Sequence, residues 1–114
     1  MKYNISVLIP ANNDLLEICD NMLTFGENPT NILIKSFYKF LDNVSNMPYM
    51  YPQYSRKPEY RKAALAYDYF AFYKIIKKRK IIEVYHILNS KQNIAGLLWN
   101  RKDFFIIKIS LAKY

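Results

Sequence analysis

A few side chains in this sequence could handle phosphate groups and protons without a metal ion. His86 is the only histidine, and histidine is the side chain whose ordinary pKa lies nearest neutrality, which suits it to general acid or base catalysis. Arg61 carries a planar guanidinium that binds phosphate bidentately and stays charged at physiological pH. Tyrosines interleaved with Lys and Arg can stack on bases while the cations contact phosphates. These residue types point to nucleic-acid chemistry.

A structural explanation competes with the chemical one at each position. His86 lies within an apolar, strand-like segment, where a buried histidine needs no catalytic role, and Arg61 could simply mark an exposed strand end. Tyr85 and His86 are neighbours, so a regular strand directs them to opposite faces of its sheet. Both can line one groove only if the strand bulges. Sequence alone leaves both explanations open.

Length and charge limit the classes of protein to consider. A chain of 114 residues that is 52% hydrophobic can bury one core and predicts a single compact domain. Its 17 Lys and Arg against 9 Asp and Glu give a net charge of +8, which favours a polyanion or an acidic protein as partner. The alternative is a solubilising coat of lysines. Eleven Tyr and seven Phe exceed what one small core needs and favour the first explanation.

Cysteine usage and hydropathy exclude several further classes. The single Cys19 cannot form an internal disulfide, and no Cys or His cluster has metal-ligand spacing. The apolar run from Ile5 to Ile9 is broken by Pro10 and is too short for a signal-peptide core. No stretch approaches the roughly 20 apolar residues of a membrane span. We therefore expect a cytoplasmic protein with no cofactor, no metal and no membrane association.

Hydrophobic periodicity places these residues on a strand, two helices and a meander. Alternation over Tyr3–Ile9 predicts the first strand, and helical spacing predicts helices over about Ala11–Phe25 and Ile32–Met47, with Asn12, Asn13 and Asp14 as candidate caps. The arm from Pro48 to Pro58 has no strand or helix period. Its tyrosines could cover the core or form a contact surface. The later elements are predicted as strands Arg61–Ala66, Tyr69–Ile76 and Ile81–Leu88, a short helix Ile94–Trp99 and a last strand Phe104–Leu111.

The predicted fold class is α+β, with an N-terminal strand, an antiparallel two-helix hairpin and an antiparallel β-meander packed on the hairpin. The basic turn Lys77–Lys80 should be a solvated hairpin tip. The sheet face opposite the helices should be concave and available for binding. We expect one domain over residues 1–98 and a C-terminal extension over residues 99–114, formed by a short helix end and a strand of the same domain.

This order of elements, with particular residues in it, resembles the RelE/ParE toxin superfamily over about residues 2 to 98. Ala11-x-x-Asp14-Leu15-x-Glu17-Ile18 is similar to the start of the family's first helix, and Tyr69-Phe70-Ala71-Phe72-Tyr73-Lys74 is similar to its aromatic central strand. Tyr51-Pro52-x-Tyr54 falls where ParE-like members carry a tyrosine-proline loop. Val84 to Ile94 resembles the terminal strand and basic loop. That loop usually holds a histidine or tyrosine followed by arginines, whereas Asn89-Ser90-Lys91-Gln92 keeps the charge only at Lys91.

The resemblance implies the toxin half of a type II toxin-antitoxin pair that arrests bacterial growth. The weakened basic loop slightly favours a ParE-like poison of DNA gyrase, which needs no catalytic set. One alternative is a RelE-like, metal-independent endonuclease that binds the ribosome and cuts mRNA, with catalytic candidates Arg61, Lys62, His86 and Lys91. Another is a non-toxic basic interaction domain on the same fold. Binding candidates are Tyr54, Arg56 and Tyr85. The expected partner is an acidic antitoxin that forms a hetero-oligomer with the toxin.

Overall fold

In a computed structural model, which describes residues 2–98 and the backbone of residues 108–110, strands and helices follow one another in an α+β arrangement. The helices are α1, Ile9–Leu23, α2, Glu27–Asn46, and α3, Ile94–Leu98. The strands are β1, Asn4–Leu8, β2, Gln53–Tyr54, β3, Lys57–Ala64, β4, Tyr69–Ile76, β5, Ile81–Asn89, and β6, Lys108–Ser110. A 3₁₀ turn at Lys77–Arg79 joins β4 to β5.

Local sequence explains where the two long helices begin and end. Pro10 stands in the first turn of α1, where its missing N–H is not needed. Gly26 separates the helices with φ of +117°, a conformation that side-chain-bearing residues rarely adopt. In α2 the apolar residues recur at helical spacing and are buried along one face, as the sequence predicted. They are Leu33, Phe37, Phe40, Leu41 and Val44.

The strands form one six-stranded sheet in the order β2-β3-β4-β5-β1-β6. Strands β3, β4 and β5 make the predicted antiparallel meander. Strand β1 pairs in parallel with β5, with Ile5 opposite Ile82 and Val7 opposite Val84. The sheet therefore joins a strand from the N-terminal end of the chain to one more than seventy residues later.

Apolar residues on the two sides of the sheet form two separate clusters. The larger cluster lies between the sheet and helices α1 and α2 and includes Val7, Phe37 and Tyr73. We call this side the helix-covered face. The other side carries a smaller cluster of Tyr60, Phe72, Leu88 and Leu98, with partly buried residues around it. We call it the open face, although α3 packs against part of it.

Several element boundaries differ from the predicted ones. Helix α1 begins two residues earlier, and α2 begins at Glu27 because Pro29 is tolerated in its first turn. The arm after Pro48, predicted without strand period, contributes the short strand β2, which pairs with β3 across an irregular register. The N-cap of α1 is Leu8, without a side-chain hydrogen bond, so Asn12, Asn13 and Asp14 do not cap it.

The C-terminal predictions fall only partly within the described residues. Helix α3 matches the predicted short helix up to Leu98, and Trp99 lies outside the described residues. Within the predicted strand Phe104–Leu111, the described part Lys108–Ser110 pairs antiparallel with β1. The division of the chain at residue 98 stays a prediction. Among the helices of the described residues, none is long and apolar enough to cross a membrane.

Candidate functional site

Strand β3 sends its two adjacent basic residues to opposite faces of the sheet. Arg61 pairs with Tyr73, whose ring belongs to the core beneath the helices, whereas Lys62 pairs with Phe72 of the open face. Side chains of directly paired residues lie on the same face. Lys62 is therefore on the open face and Arg61 is on the helix-covered face, a distinction that the sequence left undecided.

Arg61 fastens the arm that follows α2. Its Nη1 donates a hydrogen bond to the Tyr51 carbonyl oxygen at 2.6 Å, and its guanidinium lies 5.0 Å from the centroid of the Tyr49 ring. On the same side, the Tyr73 hydroxyl donates to the Pro48 carbonyl oxygen at 2.7 Å. Burial raises the pKa of Tyr73 well above its ordinary range, while nearby Arg61 opposes that shift. These contacts give Arg61 a structural partner set rather than an open phosphate site.

Lys62 and Tyr54 belong to an aromatic and cationic group on the open face. The Lys62 ammonium lies 4.1 Å from the centroid of the Phe70 ring and 5.8 Å from that of Tyr54. The Tyr54 ring meets Phe72 edge to face, with centroids 5.3 Å apart. Cation–π attraction holds the Lys62 ammonium over these rings. The open face therefore carries a positive charge next to its aromatic side chains.

Tyr85 lies on the open face at a bulge in β5. Tyr73 pairs with Val84 and Phe72 pairs with His86, so Tyr85 is the extra residue of the bulged strand. Its hydroxyl donates to Glu83 Oε1 at 3.0 Å, and its ring meets Tyr60 edge to face at 5.3 Å. A bulge was the condition under which Tyr85 and His86 could share a side, and the strand has one.

Lys74 and Glu83 join this group and were not among the predicted site residues. They are paired across β4 and β5. The Lys74 ammonium lies 4.7 Å from the Tyr60 ring centroid and 4.9 Å from that of Tyr85. Glu83 is buried, only 4% exposed. The signal that could have found them is a pair of charged residues directly opposite each other on two neighbouring apolar strands. That pairing can be recognised only when the register of the strands is known.

His86 is buried and bound to helix α1. It is 6% exposed, and its Nδ1 lies 2.9 Å from Asp14 Oδ2. The same carboxylate oxygen accepts the backbone N–H of Ile87 at 2.9 Å. The pairing of β1 with β5 ends at Val84. Asp14 therefore accepts the N–H of Ile87 at a point of β5 that β1 no longer reaches.

The remaining predicted residues lie apart from the open-face group. Lys91 is exposed in a turn where Asn89 Oδ1 accepts the Lys91 N–H at 2.9 Å. Arg56 is exposed between β2 and β3, and its neighbour Lys57 is buried instead. The Lys57 ammonium and the Tyr60 hydroxyl both donate to the Leu98 carbonyl oxygen, at 3.3 and 3.2 Å. These two bonds hold the end of α3 against the open face.

A groove of about 250 Å³ lies on another side, between α1 and the end of β5. None of the seven predicted site residues lines it. Its lining is mostly polar and consists of Asp14, Glu17, Ile18, Asn21, Tyr69, Ile87, Asn89 and Gln92. Within the described ranges, no group of three or more His, Cys, Asp or Glu side chains could hold a metal ion.

Sequence and structure comparisons agree on the relatives of this chain. Residues 7–94 match the family described as ParE toxin of type II toxin-antitoxin system, parDE. No curated protein matches the chain significantly in sequence. The chromosomal ParDE system from P. aeruginosa has a similar fold, with a TM-score of 0.67 and 15% identity over 79% of this chain and 98% of that one.

Two RelE-type structures are similar as well. An E. coli RelE toxin carrying two arginine substitutions, in the free state, has a TM-score of 0.61 and 15% identity over 86% of this chain and 92% of its own. The RelBE2 toxin-antitoxin complex from Mycobacterium tuberculosis has a TM-score of 0.56 and 14% identity over 79% of this chain and 100% of that one. The fold is that of the RelE/ParE toxins. Because the family match spans most of its length, the chain belongs to the ParE toxin family of type II toxin-antitoxin systems.

Proposed function

We propose that this toxin arrests bacterial growth by poisoning DNA gyrase without cutting nucleic acid itself. The observation that carries this choice is the dispersal of the predicted catalytic residues. Arg61 lies on the helix-covered face, His86 is buried against Asp14 and Lys91 stands in an exposed turn. Metal-free RNA cleavage needs a base, an acid and a cation that converge on one phosphate. The fourth candidate, Lys62, lies over the Phe70 ring on the open face.

A second candidate function is mRNA cleavage on the ribosome. The specific observation in its favour is the contact between Tyr85 and Glu83 on the open face, with the Lys74 ammonium beside the Tyr85 ring. A carboxylate, a phenol and an ammonium are the types of group that such cleavage requires. In this alternative Lys74, Glu83 and Tyr85, with Lys62, replace the set predicted from sequence. The end of α3 would have to leave room for RNA.

We further propose that an acidic antitoxin holds the toxin inactive in the cytoplasm. The net charge of +8 favours an acidic partner. Helices α1 and α2 and their connection also expose large apolar side chains, namely Leu16, Leu23, Phe25 and Ile32. Structures described as ParDE and RelBE systems contain relatives of this fold. An antitoxin segment that folds on binding would cover the hairpin and the sheet.

Induction in bacterial cells tests the proposal. Expression without an antitoxin should stop growth and induce the DNA-damage response before protein synthesis falls, because poisoned gyrase breaks DNA. Co-expression of the acidic protein encoded beside the toxin should restore growth. Immediate loss of translation with no DNA-damage response would favour the nuclease. Unchanged growth despite folded protein would remove both functions.

A further inference from the structure

The connection between β4 and β5 carries four consecutive cationic residues at the molecular surface. Lys77, Lys78, Arg79 and Lys80 are all exposed, and we call this segment the basic turn. The Asn4 N–H donates to the Lys80 carbonyl oxygen at 2.9 Å, which places the N-terminal strand and exposed Lys2 beside the turn. The described structure thus concentrates five positive side chains at one end of the sheet, away from Lys62 and Tyr85.

The basic turn contains a backbone conformation that is unfavourable for lysine. Lys77–Arg79 form a 3₁₀ turn that closes with a hydrogen bond from the Lys80 N–H to the Lys77 carbonyl oxygen at 3.2 Å. Lys80 has φ of +52° and ψ of +52°, a left-handed conformation that Gly and Asn adopt far more readily. The tight turn also brings like charges together. The sequence therefore holds cations where neutral turn residues would fold more easily.

Three cations of the basic turn have no carboxylate partner among the described residues. Within the described part of the chain, Lys77, Lys78 and Arg79 form no ion pair. The large exposed apolar side chains of the described residues also lie outside the turn. Protein interfaces need apolar or aromatic anchors at their centre. In contrast, Lys and Arg can bind phosphates without an apolar anchor, because the release of counterions drives the binding.

We propose that the basic turn binds the phosphodiester backbone of a nucleic acid, independently of base sequence. The negative phosphates of the nucleic acid would offset the repulsion among the four cations of the basic turn. The proposal does not rest on the toxin's cellular target, because the turn lies apart from the open face and its binding is measured with naked nucleic acid. Failure of growth arrest and failure of this binding are therefore separate results.

Fluorescence anisotropy of the full chain with labelled duplex DNA, and in parallel with duplex RNA, tests this inference over a range of KCl concentrations. The variant K77Q/K78Q is compared with K35Q/K39Q, which removes two exposed lysines from α2. Both variants lower the net charge equally, from +8 to +8 − 2 = +6. For DNA we expect K77Q/K78Q to weaken binding by roughly 10-fold or more at 0.1 M salt and to flatten the salt slope by about 2. The control should bind like the wild type.

The two nucleic acids decide which backbone is preferred, and binding to either one supports the proposal. Equal weakening in both variants would overturn it, because overall charge would then explain the binding. So would an absence of binding to both nucleic acids at about 100 μM protein, the weak end of non-specific binding. Stronger, turn-dependent binding to vesicles of anionic lipid than to nucleic acid would overturn it as well.

A second variant separates binding from folding. Lys80→Gly relieves the left-handed backbone and removes one cation. We expect a higher melting temperature together with weaker binding to nucleic acid. A lower melting temperature with unchanged binding would show that Lys80 serves the fold alone and would overturn its part in the proposal.

Discussion

Asp14 Oδ2 lies 2.9 Å from Nδ1 of His86, a residue 72 positions further along the chain. The same oxygen accepts the backbone N–H of Ile87. One carboxylate thus connects α1 to β5 next to the bulge at Tyr85. The contact explains why the only histidine of the chain is buried at this position.

Removal of this carboxylate should destabilise the protein. In Asp14→Ala, the N–H of Ile87 and the ring of His86 lose an acceptor in a partly buried site, so we expect a loss of about 1–3 kcal/mol in the free energy of unfolding. Urea denaturation measures it. Asp20→Ala is the matched control, because Asp20 is exposed on the same helix and should change stability by less than about 0.5 kcal/mol. Equal midpoints for the two variants would contradict the assigned role of Asp14.

The structural role of His86 leads to a separate prediction. His86→Gln should lower the free energy of unfolding by about 1 kcal/mol or more, because a buried side chain bound to Asp14 is replaced. The protein that still folds should remain toxic. Melting curves and growth after induction are measured on the same variant. A variant that melts like the wild type and no longer arrests growth would favour a catalytic histidine and the nuclease function.

Arg61 should act on the arm between α2 and β2. Arg61→Ala removes the hydrogen bond to the Tyr51 carbonyl oxygen and the contact with the Tyr49 ring, so we expect a loss of about 1–3 kcal/mol. Amide hydrogen exchange in residues 47–52 should accelerate more than elsewhere. Lys62→Ala, next to Arg61 on the opposite face, should leave exchange in this arm unchanged. If Arg61 instead served RNA cleavage, the alanine variant would cut about 100-fold more slowly with unaltered exchange.

The buried hydroxyl of Tyr73 should make stability depend on alkaline pH. Burial raises the pKa of Tyr73, so the folded chain keeps a proton that the unfolded chain releases above about pH 10. Its contribution is complete below that pH and decreases as the pH rises. Tyr73→Phe should therefore lose less stability than the wild type between about pH 10 and 12 in urea titrations. Tyr38→Phe, at an exposed tyrosine of α2, should keep the wild-type slope, and identical slopes for all three proteins would refute the assignment.

Local patterns in the sequence predicted most of the elements but not their long-range partners. The strand-length run Tyr69–Ile76 and the basic turn after it sufficed for β4 and for a hairpin to β5, because both depend on neighbouring residues. The parallel pairing of β1 with β5 joins residues nearly eighty positions apart. No periodicity within either strand encodes that choice. For the same reason, Asp14 was read as a helix cap and not as a partner of β5.

The composition of the candidate site could be predicted better than its geometry. Lys62, Tyr54 and Tyr85 were identified from residue type and family resemblance, and the structure places all three on the open face. Whether Arg61 or Lys62 pointed there depended on the register with β4, and one residue of register reverses the face. Lys74 and Glu83 were missed because neither stands out until β4 and β5 are aligned.

The most direct test of the central claim is made with purified components. DNA gyrase and plasmid are mixed with increasing amounts of the toxin, and the same preparations are added to ribosomes programmed with mRNA. We predict that supercoiling stops as the toxin concentration rises and that the mRNA stays intact at every concentration. Full supercoiling activity together with cleaved mRNA would contradict the claim and assign the protein to the ribosome-dependent nucleases.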